Sequence, residues 1–266
     1  MAAGAVEPEV FSYDPDILPF LLTPVLLASF LASFLFPYTV SPLLWRILLP
    51  ANKIPTIRTN MHFHSMLSST VHAIVSSALS VYILVYGLMG TNRVFSKSPL
   101  GFTAMQVSLG YFLGDFVVCL LDQKLRNDKG NMTHHIAGIV GLSLCLFYQG
   151  KAMFFVVYRL IAEVSTPFVN LRSILYDLGN KDGFLYYFAA INMLITFVCC
   201  RIIVIPWHWY EILTTVVTEE CALLIPLYFR VWIGLNYIAF DILNAYWCYR
   251  IVRGALKLYQ SERKGD

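Results

Sequence analysis

FLYYFAAINMLITFVCCRIIVIP, residues 184–206, runs for 23 residues with Arg201 as its single charge. A helix needs about 20 mostly apolar residues to cross a bilayer, so this stretch reads as a membrane span. Six others read the same way: 17–36, 65–90, 102–121, 132–149, 152–176 and 227–251. Across all 266 residues, 58% are hydrophobic and 13% charged, against about 25% charged in soluble domains. The fold class follows: all-α, a polytopic transmembrane bundle of about seven helices. A six-span version omits the first stretch, which holds Pro19 and Pro24.

Lysine and arginine set the orientation, because they accumulate in short cytoplasmic loops. With the N-terminus in the lumen, 13 of the 19 basic residues fall on the cytosolic side. They include Arg46, Lys53, Lys124, Arg126, Lys129 and the tail from Arg250 to Lys264. Arg93, Lys97, Lys151 and Arg230 fall on the other side or at its boundary. The first 45 residues hold no Lys or Arg, unlike the positive start of a cleaved signal peptide. The net charge of +3 is therefore topological and does not imply a nucleic-acid partner. The tail reads as solvated, with anionic lipid headgroups as its alternative surface. Arg263-Lys264 loosely resembles a dilysine retrieval signal for the endoplasmic reticulum.

Of six cysteines, only Cys221 falls in a lumenal loop, so no disulfide framework is expected. No spacing suggests zinc, and no third ligand accompanies His134 and His135, so no metal site is expected. The sequon Asn131-Met132-Thr133 lies on the cytosolic side and is expected to be unmodified.

Function must reside in polar groups that a bilayer tolerates poorly. Ionisable side chains within spans usually face a bundle interior or a water-filled cavity. Here they are His72, Asp115, His134, His135, Arg159, Glu163, Arg201 and Asp241. Their near balance of charge predicts pairing between helices. In the fifth span, Arg159, Glu163, Thr166 and Asn170 recur at helical spacing, and Arg159 and Glu163 stand one turn apart, close enough to pair. Pro167 predicts a kink that frees the Glu163 carbonyl. That pair reads either as a structural salt bridge or as a ligand site at a broken helix. Serines 65, 69, 76 and 80, with His72, line the second span, as Gly138 and Gly141 line the fourth; such stripes suit close helix packing. At 1.5 Å rise per residue, the histidine pair sits near the cytosolic mouth, and Glu163 lies more than about 10 Å from it along the membrane normal. Asp115 is the better-placed carboxylate. These groups are expected to line a long apolar slot suited to an acyl chain.

The segments HSMLSSTVHAIVSS, SLGYFLGDF, MTHHIAGIVGLSL and YRLIAEVSTPFVNLR, in this order, resemble the TLC-domain family of membrane proteins. The resemblance covers about residues 61–258, leaving 1–60 as lumenal N-terminus, first helix and cytosolic connection, and 259–266 as cytosolic tail. It implies a core of about six helices, residence in endoplasmic reticulum or related membranes, and roles in lipid sensing, trafficking or synthesis. Its enzymatic branch, the ceramide synthases, uses a histidine pair followed by paired aspartates. His134 and His135 match the pair, as base or acyl-accepting nucleophile, whereas Arg159 and Glu163 stand where that branch has aspartates.

The expected function is a nonenzymatic role in lipid homeostasis, binding, sensing or moving a lipid or acyl chain within the bundle. Asp115, Arg159, Glu163, Asn170, His72, Arg201 and Asp241 are the expected ligand contacts, with no cofactor. The alternative is an N-acyltransferase with acyl-CoA as substrate and His134 or His135 as catalytic residues. A third class is an ion or proton channel.

Overall fold

Proline and polar caps fix where the helices begin. The computed structural model describes residues 23–53, 60–87, 90, 92–218 and 225–262. The acidic N-terminal residues, the first six positions of the 17–36 stretch, Cys221 and the basic pair at 263–264 lie outside the described residues. Helix α1, Pro24–Leu35, starts on a proline and is capped by the Thr23 hydroxyl accepting from Leu26 N–H at 3.1 Å. Proline suits that first turn, where its missing N–H has no helical partner anyway. Helix α3, Met61–Val85, is capped by Asn60; α4, Pro99–Leu121, by Ser98; and α5, Lys129–Phe147, by Asp128. Each is a side-chain oxygen satisfying an orphan N–H.

Among the described residues there is no β-strand. Four helical stretches are long and apolar enough to cross a membrane by themselves: Met61–Val85, Pro99–Leu121, Met153–Asp177 and Phe184–Thr215. A fifth is α1 taken together with α2, Val40–Leu48, although the two bend by 53°. The expected connection after the first span includes helical structure among its described residues. It contains α2, whose Trp45 is buried against Phe63 while Leu43 and Ile47 are exposed. The stretch at 132–149 overlaps α5 as far as Phe147, and that at 227–251 falls within α10, Leu227–Glu262. Their histidines and charges keep them below that apolarity.

Two of the long stretches are not uniform helices. The stretch Met153–Asp177 divides into α6, Met153–Arg159, a 3₁₀ segment, Leu160–Ser165, and α7, Thr166–Asp177. The stretch from Phe184 divides into α8, Phe184–Phe197, a π-turn, Val198–Ile202, and α9, Val204–Thr218. Pro167 is therefore not the kink. It sits in the first turn of α7, and the irregularity precedes it. Nor is the Glu163 carbonyl freed, because it accepts the Thr166 N–H.

Glycines set the closest contact. A Cβ on Gly110 would lie 2.6 Å from the Leu26 carbonyl oxygen, and one on Gly114 would lie 2.7 Å from that of Phe30. Glycines four apart let α1 lie backbone to backbone on α4. Ser29 and Ser33 lock the contact by donating to the carbonyls of Val107 at 2.6 Å and Tyr111 at 3.1 Å. Outward faces are apolar, as with Val71 and Ile74 on α3 and Ile191 and Ile195 on α8. That pattern fits hydrocarbon outside and polar groups within.

The core is segregated along the bundle axis. Ile83, Met105, Leu109, Leu146, Met153 and Phe229 form a buried apolar plug. These residues belong to the end of α3, the start of α4, the end of α5, and the starts of α6 and α10, which meet at one end of an antiparallel bundle. His134, Glu163 and Arg201 gather where the 3₁₀ segment and the π-turn face each other.

Candidate functional site

Adjacent in sequence, His134 and His135 point to different partners across α5. His135 is buried and locked. Its Nε2 lies 2.9 Å from Asp115 Oδ2 on α4, and its Nδ1 lies 2.9 Å from the Asn131 carbonyl one turn back. Since a carbonyl only accepts, Nδ1 carries a proton and donates it to Asn131. Nε2 faces the Asp115 carboxylate. Ser65 from α3 donates to the other Asp115 oxygen at 3.1 Å, and Cys119 Sγ stands 3.8 Å from Oδ2. The spacing of the sequence suggests no third metal ligand beside the histidine pair, yet Asp115, Cys119 and His135 present ligand atoms within 4.8 Å of one another. The serine stripe of α3 thus contributes a buried hydrogen bond besides close packing.

His134 faces the interior. Phe112, Phe240 and Trp247 surround its ring at centroid distances of 5.4, 5.4 and 5.7 Å. Its Nε2 is 3.8 Å from Glu163 Oε1, while Nδ1 is buried without a hydrogen-bond partner. The separation of more than about 10 Å expected from the depth count is corrected by this contact. Counting residues gives position along one helix only. Different helices need not start at one level, and Glu163 lies in a 3₁₀ segment, where the rise is about 2.0 Å per residue.

The 3₁₀ winding also breaks the expected Arg159–Glu163 pair. Four residues advance a helical face by about 40° in an α-helix but by about 120° in a 3₁₀-helix, so the two side chains diverge. Arg159 instead donates to Asp241 of α10 at 2.6 Å and to the Tyr237 carbonyl at 3.3 Å, and lies 3.2 Å from His208 Nδ1. Trp209 completes this cluster, donating to the other Asp241 oxygen at 2.9 Å.

Glu163 turns toward Arg201, whose Nη2 is 3.7 Å from Oε1. Thr166 donates to Glu163 Oε2 at 2.7 Å. Arg201, on the π-turn, donates to the Ala162 carbonyl at 3.0 Å, Ser165 Oγ at 2.8 Å, Thr166 Oγ1 at 3.1 Å and Asn244 Oδ1 at 3.3 Å. A π-turn inserts one residue and re-aims the side chain it carries, often at a functional site. Here Arg201 satisfies backbone and side-chain acceptors of the facing 3₁₀ segment. Irregular backbone at membrane depth is tolerated where protein buries it in this way.

Cavities border this group on two sides. One of about 60 Å³ is bounded by His134, Arg159, Glu163, Arg201, Gly138 and Phe240. The other, about 160 Å³, is bounded by His134, His135, Glu163, Arg201 and Asn170. Phe112, His134, Glu163 and Arg201 line both. Around this group the space is two small chambers that meet at four residues, where one long slot was expected. Aromatic rings from α4 and α10 fill the intervening space.

The other expected contacts have packing roles as well. Asn170 donates to the Met66 carbonyl at 2.9 Å and to Thr70 Oγ1 at 3.0 Å, tying α7 to α3. His72 stacks on Tyr111 at 3.8 Å. Asp241 serves Arg159 and Trp209 rather than either chamber. Sequence reading missed Phe112, Phe240 and Trp247 as the box around His134. Aromatics at core spacing carry no signal separating a site wall from ordinary packing.

Comparison with known proteins adds a family context. A family model for the TLC domain matches residues 62–253. The chain is 31% identical over 221 residues to TLC domain-containing protein 4-B of Xenopus laevis, covering 78% of this chain and 79% of that protein. To TLC domain-containing protein 4-B of Danio rerio it is 30% identical over 247 residues, 91% of each. To the human TLC domain-containing protein 4 it is 25% identical over 211 residues, 79% of this chain and 80% of the relative.

Proposed function

Because this chain belongs to the TLC-domain family of membrane proteins, we propose that it handles lipid, holding an acyl chain within its bundle against His134, Glu163 and Arg201. One observation carries this reading: a small cavity of mainly apolar lining meets a larger, more polar one at those three residues. Ligand sites combine an apolar wall with a few convergent polar groups. A chain entering here displaces the aromatic rings that divide the chambers. The role is sensing or moving lipid in an endomembrane such as the endoplasmic reticulum.

A specific observation favours a second reading, N-acyl transfer from acyl-CoA. His134 Nδ1 is buried and unpartnered beside the chambers, and Nε2 is backed by Glu163 at 3.8 Å. A nucleophile or general base oriented by a carboxylate has this form. His135, with both nitrogens engaged, would then be a positioning residue.

The test is to purify the full chain, identify co-purifying lipid by mass spectrometry, and incubate the protein with acyl-CoA and a sphingoid base. Stoichiometric lipid that is lost in a folded His134→Ala variant, without turnover, is the expected result. Turnover abolished by His134→Ala selects the acyltransferase. Equal lipid content in wild type and variant overturns the site, and a proton current in liposomes redirects the reading to a channel.

A further inference from the structure

A larger space adjoins the second chamber. A cleft of about 530 Å³ lies between α7, α8 and α10, within the range of small-molecule sites, about 300–1,000 Å³. Its walls are apolar, with Leu194 and Met193 on α8 and Ile251 on α10. Val169, Phe197 and Trp247 line both this cleft and the chamber that holds His134 and Glu163. The cleft therefore leads to the site proposed above. Ile191 on its wall is 58% exposed, so the cleft opens sideways, where α8 faces hydrocarbon.

Two cations stand on this otherwise apolar lining, Arg172 and Arg250. Among the described residues, neither has a carboxylate within 4.0 Å. Arg172 donates Nη1 to the Tyr186 hydroxyl at 3.2 Å, while its Nε is buried without a hydrogen-bond partner. Arg250 is exposed, with its guanidinium 5.9 Å from the Tyr246 ring centroid. By contrast, half-buried Arg159 and buried Arg201 each have an internal acid. Two uncompensated guanidinium groups bordering an apolar cleft complement a phosphate, which arginine binds through paired N–H donors. An amphiphile whose head rests on those arginines directs its tail toward Phe197 and Trp247.

We propose that this cleft takes one acyl chain of an anionic glycerophospholipid from the surrounding leaflet, with its phosphate held between Arg172 and Arg250. The inference rests on the lipid-handling reading and names the lipid class. The lateral opening selects a membrane phospholipid, since one tail can enter while the other stays in the bilayer.

The experiment uses the full chain in phosphatidylcholine nanodiscs, titrated with phosphatidic acid brominated on its acyl chains. Bromine quenches nearby tryptophan, and subtracting the signal of Trp247→Phe isolates Trp247. The expected result is saturable quenching by the phosphatidic acid and not by brominated phosphatidylcholine. Half-saturation should rise about tenfold for Arg172→Gln or Arg250→Gln, the loss of one charged hydrogen-bond donor, with Arg250→Lys between. Should Arg172→Gln fail to fold, the exposed Arg250 carries the comparison. Equal quenching by both lipids, or unchanged half-saturation in the Arg250 variants, overturns the proposal. Stronger competition by a brominated free fatty acid overturns the phospholipid assignment. Lipid retained through His134 without headgroup preference sinks this inference alone, whereas absence of bound lipid sinks the reading beneath it.

Discussion

Glu163 Oε1 lies 3.8 Å from His134 Nε2, and the same oxygen lies 3.7 Å from Arg201 Nη2. One carboxylate thereby joins α5, the 3₁₀ segment and the π-turn. It compensates a cation and backs a histidine whose other nitrogen is unengaged. Its second oxygen is taken by Thr166, so the carboxylate is fixed rather than free to rotate. Loss of this side chain should therefore be felt in both fold and site.

The two histidines should separate by phenotype. His135→Ala leaves Asp115 buried without its partner, and removing one member of a buried pair costs about 3–5 kcal/mol. A marked drop in thermal midpoint of the purified protein is expected. His134→Ala removes a side chain with no hydrogen bond to Nδ1 and a loose contact to Glu163, so its midpoint should fall much less. Equal destabilisation by both would contradict the division of roles.

Glu163 and Arg201 should be energetically coupled. Glu163→Ala strands Arg201 and is expected to lose about 3–5 kcal/mol, whereas Glu163→Gln keeps an acceptor for Thr166 and should lose less. A double-mutant cycle with Arg201→Gln is expected to give an interaction of about 0.5–3 kcal/mol, read from denaturant or thermal unfolding in detergent. Additivity would show that Arg201 is held by its other acceptors alone.

Pro167→Ala should be nearly silent. Proline in the first turn of α7 removes no helical hydrogen bond, and the 3₁₀ segment ends before it. The expected change is under about 1 kcal/mol with lipid content unaltered. A large change would return the bend of this span to the proline.

Gly110→Val tests the α1–α4 contact. Even a Cβ comes within 2.6 Å of the Leu26 oxygen, and that neighbour is backbone and cannot rotate away. Overpacking typically costs about 1–3 kcal/mol, here expressed as undocking of α1. Cysteines introduced at Ser29 and Val107, whose hydroxyl and carbonyl are 2.6 Å apart, should lose crosslinking yield in the Gly110→Val background. Unchanged yield would mean that α1 adapts.

The helical membrane architecture was legible because hydrophobic length is a one-dimensional property. Twenty apolar residues spell a span wherever they occur, and Arg201 or Asp115 within such a run is conspicuous at once. The members of the site were legible for the same reason. His134, His135, Glu163, Arg159 and Arg201 stand out against apolar neighbours, and pairing between helices follows from the need to compensate each buried charge.

Which charge meets which was decided only in three dimensions. A 3₁₀ segment at Leu160–Ser165 and a π-turn at Val198–Ile202 rotate Glu163 away from Arg159 and aim Arg201 at it. Such local changes of winding arise from packing between helices, and helical periodicity in the sequence assumes the winding is constant. The same reason hid the cleft beside Arg172 and Arg250. Its walls come from three helices far apart in the chain, and a space between helices belongs to none of their sequences.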